Sequence, residues 1–335
     1  MTTVATVRGP VDTDELGSVL MHEHVFLLWH DLLAENRSSW DEEKAVQQAV
    51  GQLNELHQAG ISTIVDLTVL GIGRNTPLVQ RVAGQTAVNI VVATGVYAYV
   101  DLPLFLYRPA VDPAGHSIAT WEADDAGADP LTSLFISDIE HGIGDTGVRA
   151  GILKVATDWP GVTPGNERML RAVARAHRAT GVPISTHTNV TARTGLAQQA
   201  VFRSEGVDLG RVVIGHSGDS DDLDYLLELI DAGSYLGMDR FGMDSTGRFE
   251  QRVAVVAELC RRGYAGRMVL AHDASCVSHG AGDRKAAQQH SLPNWHMLHI
   301  SQDVVPELLR RGVSQDDIDQ MLVRNPAAIL PARAA

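Results

Sequence analysis

Cysteine is nearly absent: the 335 residues hold two, Cys260 and Cys276, in no CxxC spacing. That excludes a disulfide framework and a thiolate zinc finger, and it makes a reducing, cytoplasmic setting the expectation. Aromatic residues are scarce, at 5%. Basic residues are in deficit, with 27 Lys plus Arg against 41 Asp plus Glu, a formal charge of -14. Such a surface repels phosphate backbones and anionic lipid, which speaks against a nucleic-acid or membrane partner. No run of about 20 apolar residues is present to span a bilayer. Residues 1–17 lack the basic start and apolar core of a signal peptide, so none is expected. Low-complexity tracts are missing too, and at 44% hydrophobic the composition belongs to a globular chain. What is plentiful is histidine, 14 residues of it, which points toward a metal or acid–base site.

Eight short apolar runs alternate with longer amphipathic ones. They are SVLMHEH (18–24), STIVDLT (62–68), NIVVATG (89–95), GILKVAT (151–157), VPISTHT (182–188), RVVIGHS (211–217), SYLGMDR (234–240) and RMVLAHD (267–273). Each is rich in Val, Ile and Leu, as expected of a strand buried on both faces of a parallel sheet. The intervening stretches 42–60 and 166–181 have helical periodicity and end in Gly, a common helix stop. Eight such units predict a (β/α)8 TIM barrel, and 1–335 reads as one domain with residues 2–16 as an N-terminal cap or hairpin around Arg8-Gly9-Pro10. A doubly wound open sheet competes, but no GxGxxG follows any strand. Two connections are long: 97–149, with an Ala/Asp-rich stretch at 122–130, and 274–295. Both follow strands, where barrel loops roof the active site.

His22, His24, His187 and His216 fall at the ends of the first, fifth and sixth runs, Asp273 ends the eighth, and Lys154 lies near the end of the fourth. That is the rim at which barrels build active sites. His22 and His24 are two apart, so on a strand both side chains point to one face. Lys154 sits inside an apolar run, where an unpaired lysine is rarely tolerated. Three readings of it stand side by side: a strand-end lysine paired with a carboxylate, a Schiff-base lysine of the aldolase kind, or a lysine carrying a carbamate that bridges two divalent ions. The last employs every rim residue, whereas the Schiff-base reading leaves four histidines idle.

The motifs TIVDLTVLGIGR (63–74), VVATGVYAYVDLP (91–103), ISTHTN (184–189), VVIGHSGDSDDLDYL (212–226), GSYLGMDRFGMD (233–244) and MVLAHDASC (268–276) resemble the phosphotriesterase branch of the amidohydrolase superfamily. Over nearly the whole chain the similarity is greatest to the phosphotriesterase-like lactonases, which open N-acyl-homoserine lactones and hydrolyse organophosphates weakly. The resemblance implies a binuclear centre at the C-terminal rim. Its ligands would be His22, His24, Lys154, His187, His216 and Asp273, with N6-carboxylated Lys154 and a hydroxide bridging two divalent ions, whether Zn, Co, Fe or Mn. It further implies Asp273 as the proton acceptor, Tyr97 and Arg240 as catalytic and substrate-contacting residues, and Asp244 and Cys276 as substrate contacts. Tyr97 and Arg240 match the lactonase pattern, where the dedicated phosphotriesterases resemble one another in carrying Trp and His. Similar proteins are homodimers, and a role in quorum quenching or in general lactone metabolism would follow.

The loops that set specificity depart from that pattern. DSTGRFEQ (244–251) and CVSHGAGDRKAAQQHSLPNW (276–295) are polar where similar lactonases are apolar. A long acyl tail therefore finds less surface to bury, at about 0.8 kcal/mol per methylene. Alternation turns His272 away from the metal-facing side. His57, His141 and His177 read as surface or packing residues, His296 and His299 lack an accompanying acidic ligand, and His279 and His290 fall in the eighth loop. The competing functions are a phosphotriesterase or another carboxylesterase, a non-catalytic metal-binding barrel, and an aldolase.

Overall fold

The computed structural model describes residues 2–28, 40–98, 102, 108–111, 117–120, 129–279 and 291–332. Most of the Ala/Asp-rich stretch, and residues 280–290 of the eighth loop with His290, lie outside the described residues. In chain order the strands are β1 (Thr3–Thr6), β2 (Gly9–Asp12), β3 (Val19–Leu28), β4 (Thr63–Asp66), β5 (Asn89–Val96), β6 (Arg108–Val111), β7 (Ser117–Thr120), β8 (Ile152–Ala156), β9 (Ile184–His187), β10 (Val212–Ile214), β11 (Tyr235–Met238), β12 (Met268–Leu270) and β13 (Ser275–His279).

Nine strands form one parallel sheet in the order β12-β11-β10-β9-β8-β5-β4-β3-β13. The two edge strands, β12 and β13, are separated in the chain only by residues 271–274, so the sheet curls until its edges meet. Backbone bonds from Asp273 N to His22 O (3.0 Å) and from His24 N to Ala274 O (2.8 Å) stitch that join. The result is a TIM-barrel-like α/β fold. Two details differ from expectation. Residues 275–279, within the connection expected over 274–295, are a strand, and β3 runs on to Leu28 because β13 pairs with it, Val277 opposite Phe26 and His279 opposite Leu28. The connection after β5 also contains structure of its own, the β6–β7 hairpin and a helix at Pro130–Glu140.

Helices cover the outer face. Helix Glu42–Gln58 starts where the Asp41 side chain accepts from Lys44 N, and it buries Ala45, Val46, Ala49, Leu53 and Leu56 at helical spacing. Each large buried side chain of this kind contributes about 1.5–3 kcal/mol. Helix Pro164–Thr180 opens on a capping box between Thr163 and Asn166 and stops at Gly181, whose φ of 72° favours glycine. One core lies between sheet and helices, and a second fills the inside of the sheet with Val19, Met21, Val65, Val91, Ile152, Val213 and Val269. Val4 of the antiparallel β1–β2 hairpin, Leu16 and Leu330 belong to the inner core and plug its lower end. Arg8 latches the hairpin down, donating to the carbonyls of Ala83, Thr86, Ala87 and Val88.

Candidate metal centre

Three backbone devices aim side chains into the upper end of the sheet. In β3, Val19 and Met21 face inward and Leu20 outward, so strict alternation would turn His22 and His24 out. The pairing of β3 with β4 shifts register between Leu20 and Glu23. That irregularity reverses the phase, as bulges do. It sends both histidines inward and Glu23 outward. His216 and Asp273 are two of three non-glycine residues with positive φ among the described residues, at 61° and 54°. Such backbone costs of order 1–3 kcal/mol and concentrates at functional sites. Lys154 needs no device, because alternation from Ile152 already points it inside, where it is fully buried.

Each histidine has one ring nitrogen engaged from behind. His22 Nδ1 lies 2.7 Å from Asp239 Oδ2, and His216 Nδ1 lies 2.9 Å from Asp239 Oδ1. His24 Nδ1 meets Thr68 Oγ1 at 2.8 Å, and that hydroxyl donates to Asp66 Oδ1. His187 turns the other way, with Nε2 2.9 Å from Asp158 Oδ2. Carboxylates accept only, and the Thr68 proton is committed to Asp66, so each engaged nitrogen carries the hydrogen. The remaining nitrogens, Nε2 of His22, His24 and His216 and Nδ1 of His187, present lone pairs to the centre.

Those lone pairs meet at short range. His216 Nε2 lies 2.8 Å from His187 Nδ1, and His24 Nε2 lies 3.1 Å from Asp273 Oδ1. Acceptor facing acceptor repels unless a proton or a cation stands between. Burial holds His22 and His216 below the ordinary histidine range and takes His187 down to about 4, so a cation is the better match. Lys154 Nζ donates to Thr186 O at 3.1 Å and sits 3.2 Å from His22 Nε2. Burial pushes its pKa down to about 8, which makes the neutral amine, the form that adds CO2, accessible. Burial alone would raise Asp273, but the groups around it, the Arg240 guanidinium among them, outweigh that and hold the carboxyl well below its usual range. Arg240 donates to Asp273 and to Asp219, and Asp219 also receives Arg252. The Tyr97 hydroxyl is 2.8 Å from His187 Nδ1.

These groups wall a cavity of about 220 Å³ lined by His22, His24, Leu27, Ile72, Tyr97, His187, His216, Arg240, Met243, Asp273 and Trp295. A larger cavity of about 380 Å³ lies at the opposite end beside the hairpin, but among its described lining residues only Arg149 is charged. Ligand atoms of His22, His24 and Asp273 lie within 4.8 Å of one another, as do those of His22, His216 and Asp239. Asp244 and Cys276 are not among the cavity's described lining residues. Asp244 is exposed, and Cys276 is buried with Sγ 3.8 Å from Met297 Sδ. His272 bonds Glu23 through Nδ1 and accepts Ile300 N at Nε2, so both its nitrogens serve structure. His57 and His141 are exposed, while His177 is buried against Val182 O. Sequence reasoning missed Asp239, Asp158, Asp66 and Thr68. Asp239 is the residue before Arg240 at the end of β11, and an acidic residue at a strand's rim end was the signal available.

A family model described as the Phosphotriesterase family matches residues 2–330. A phosphotriesterase homology protein of Mycobacterium tuberculosis is 51% identical over 97% of this chain and 96% of its own length. An aryldialkylphosphatase of Saccharolobus solfataricus is 33% identical over 95% and 96%. The solved structure of the phosphotriesterase from Mycobacterium tuberculosis superposes with a TM-score of 0.91 at 51% identity, covering 98% of each chain. The helices contain no segment long and apolar enough to cross a membrane among the described residues.

Proposed function

The chain belongs to the phosphotriesterase family, and from that premise we propose that it is a metal-dependent lactonase with weak organophosphate triesterase activity. N-acyl-homoserine lactones head the substrate class. On this reading residues 1–335 are one (β/α)8 barrel whose rim holds a binuclear centre. His22, His24 and Asp273 would hold one divalent ion, His187 and His216 the other, with carboxylated Lys154 shared. Nitrogen and oxygen donors of this mix suit Zn, Co, Fe or Mn. The observation that carries the reading is the pair of close contacts, His24 Nε2 to Asp273 Oδ1 and His187 Nδ1 to His216 Nε2, which gather metal-ligating atoms at two places around the cavity.

When bound, such ions supply Lewis acidity toward a carbonyl and acidify water near neutral pH. The protein's residues do the rest. Tyr97, with its hydroxyl on the cavity wall beside His187, donates to the lactone carbonyl oxygen as negative charge develops there. Asp273 accepts the proton of the attacking water and returns it to the ring oxygen as the C–O bond breaks. Arg240, bonded to Asp273 Oδ2, holds that carboxylate in place and lines the cavity that receives the substrate. The product is the ring-opened hydroxy acid.

Tyr97 and Arg240 support lactone over phosphotriester as the main substrate. The polar composition of 244–251 and 276–295 supports short or polar acyl chains over long apolar ones. The relative named as an aryldialkylphosphatase favours the second reading, a phosphotriesterase acting on paraoxon-like esters. The ratio of kcat/KM for lactones to that for paraoxon separates the two.

A further inference from the structure

We infer that Asp239 is a positioning residue that couples the two metal positions, and that its two oxygens are not interchangeable. The inference rests on the binuclear reading above. Asp239 is 1% exposed, and three of the roughly four acceptor directions of its carboxylate are occupied. Oδ2 meets His22 Nδ1 at 2.7 Å, while Oδ1 meets both His216 Nδ1 at 2.9 Å and His216 N at 2.8 Å. A carboxylate so engaged is poorly placed to be a ligand itself, although it lies near His22 and His216. One side chain therefore sets the tautomer of a histidine in each metal position. The fold makes room for it: a Cβ on Gly237 would stand 2.7 Å from Asp239 Oδ2. His216 also depends on Oδ1 for its backbone, which is left-handed at φ 61°.

That asymmetry fixes what an isosteric amide would do. In Asp239→Asn the backbone N–H of His216 still requires an acceptor, so the amide oxygen takes the Oδ1 position. The NH2 group then faces His22 Nδ1, which must give up its hydrogen and become the acceptor. The hydrogen moves to His22 Nε2 and blocks the nitrogen aimed at the centre. The position formed by His22, His24 and Asp273 is damaged, and the one formed by His187 and His216 is spared. Asp239→Ala releases both rings and weakens both positions.

The test is zinc binding by metal-free protein, followed by mass spectrometric metal counting after dialysis against graded free zinc, with histidine 15N NMR on the metal-free state. Wild type is expected to bind two zinc ions and to show hydrogen on Nδ1 of both His22 and His216. Asp239→Asn should bind one with near-native affinity and the other roughly 10- to 100-fold more weakly, with the His22 hydrogen moved to Nε2. Adding His24→Asn should leave that count at one, and adding His187→Asn should bring it to zero. Two wild-type affinities in Asp239→Asn, or loss of the His187–His216 ion instead, would overturn the inference. The wild-type tautomers judge it without any variant, since hydrogen on Nε2 of either ring contradicts it. Wild type that binds no pair of zinc ions would instead overturn the binuclear reading, and that result is seen before any variant is made.

Discussion

Arg240 donates through Nε to Asp273 Oδ2 across 3.1 Å, joining the end of β11 to the residue at which the sheet closes. Its other end reaches Asp219 at 2.8 Å, and Asp219 retains Arg252 at 2.6 Å whatever happens to Arg240. Arg240→Ala therefore removes a bond to Asp273 without dismantling the loop beneath. A charge-assisted bond of this type is worth about 1.5–3 kcal/mol, a ten- to hundredfold loss of lactone kcat/KM. Metal content should stay at the wild-type level, because Arg240 is not among the residues that would hold the ions. Loss of metal with turnover per bound ion unchanged would contradict that role.

Lys154→Ala deletes the amine buried inside the sheet and, on the binuclear reading, the shared ligand. Metal content and lactone hydrolysis should fall together to background while far-ultraviolet circular dichroism keeps the helical signal. Retained activity would sink the two-ion account.

Tyr97→Phe keeps the ring and removes the hydroxyl that lies 2.8 Å from His187 Nδ1. One donor to a developing oxyanion is worth roughly a hundredfold in kcat. The drop should appear in kcat for lactones with KM little moved, and steady-state kinetics on one lactone reads it. A variant equal to wild type would contradict a catalytic role for Tyr97.

Much of this site was legible in the sequence because barrel chemistry collects at strand ends. His187 and Asp273 announce themselves by position, and Lys154 by being a cation inside GILKVA. What could not be read was the phase of β3, which a register shift reverses between Leu20 and Glu23. Nor could the left-handed turn that brings His216 inward. Asp239 stayed hidden because its meaning lies in partners 217 and 23 residues away, one on β3 and one in the turn after β10. The strand β13 escaped because SCVSH is polar and short, and it owes its pairing to the edge of β3 and not to its own composition.

His177 ties stability to pH away from the catalytic end. Burial holds it below its ordinary value of 6.5, and its Nδ1 is fixed on Val182 O at 2.7 Å. As pH falls below 6.5 the unfolded chain takes the proton first, so unfolding is favoured. The contribution of His177 is therefore full above that value and is lost as pH drops toward the folded one. Denaturant midpoints measured from pH 8 to pH 5 should decline, and less steeply in His177→Gln, a difference expected at about 1 kcal/mol or less. Parallel slopes would contradict the assignment.

The central claim is that lactone opening outruns phosphotriester hydrolysis, and a substrate panel on the metal-loaded enzyme tests it most directly. Acyl-homoserine lactones of graded chain length, simple γ- and δ-lactones, and paraoxon would be run side by side, with acid release or nitrophenol followed. The account predicts a higher kcat/KM for the preferred lactone than for paraoxon, without a steep gain as the acyl chain lengthens. Paraoxon turned over faster than every lactone, or no acid released from any γ- or δ-lactone, would contradict it.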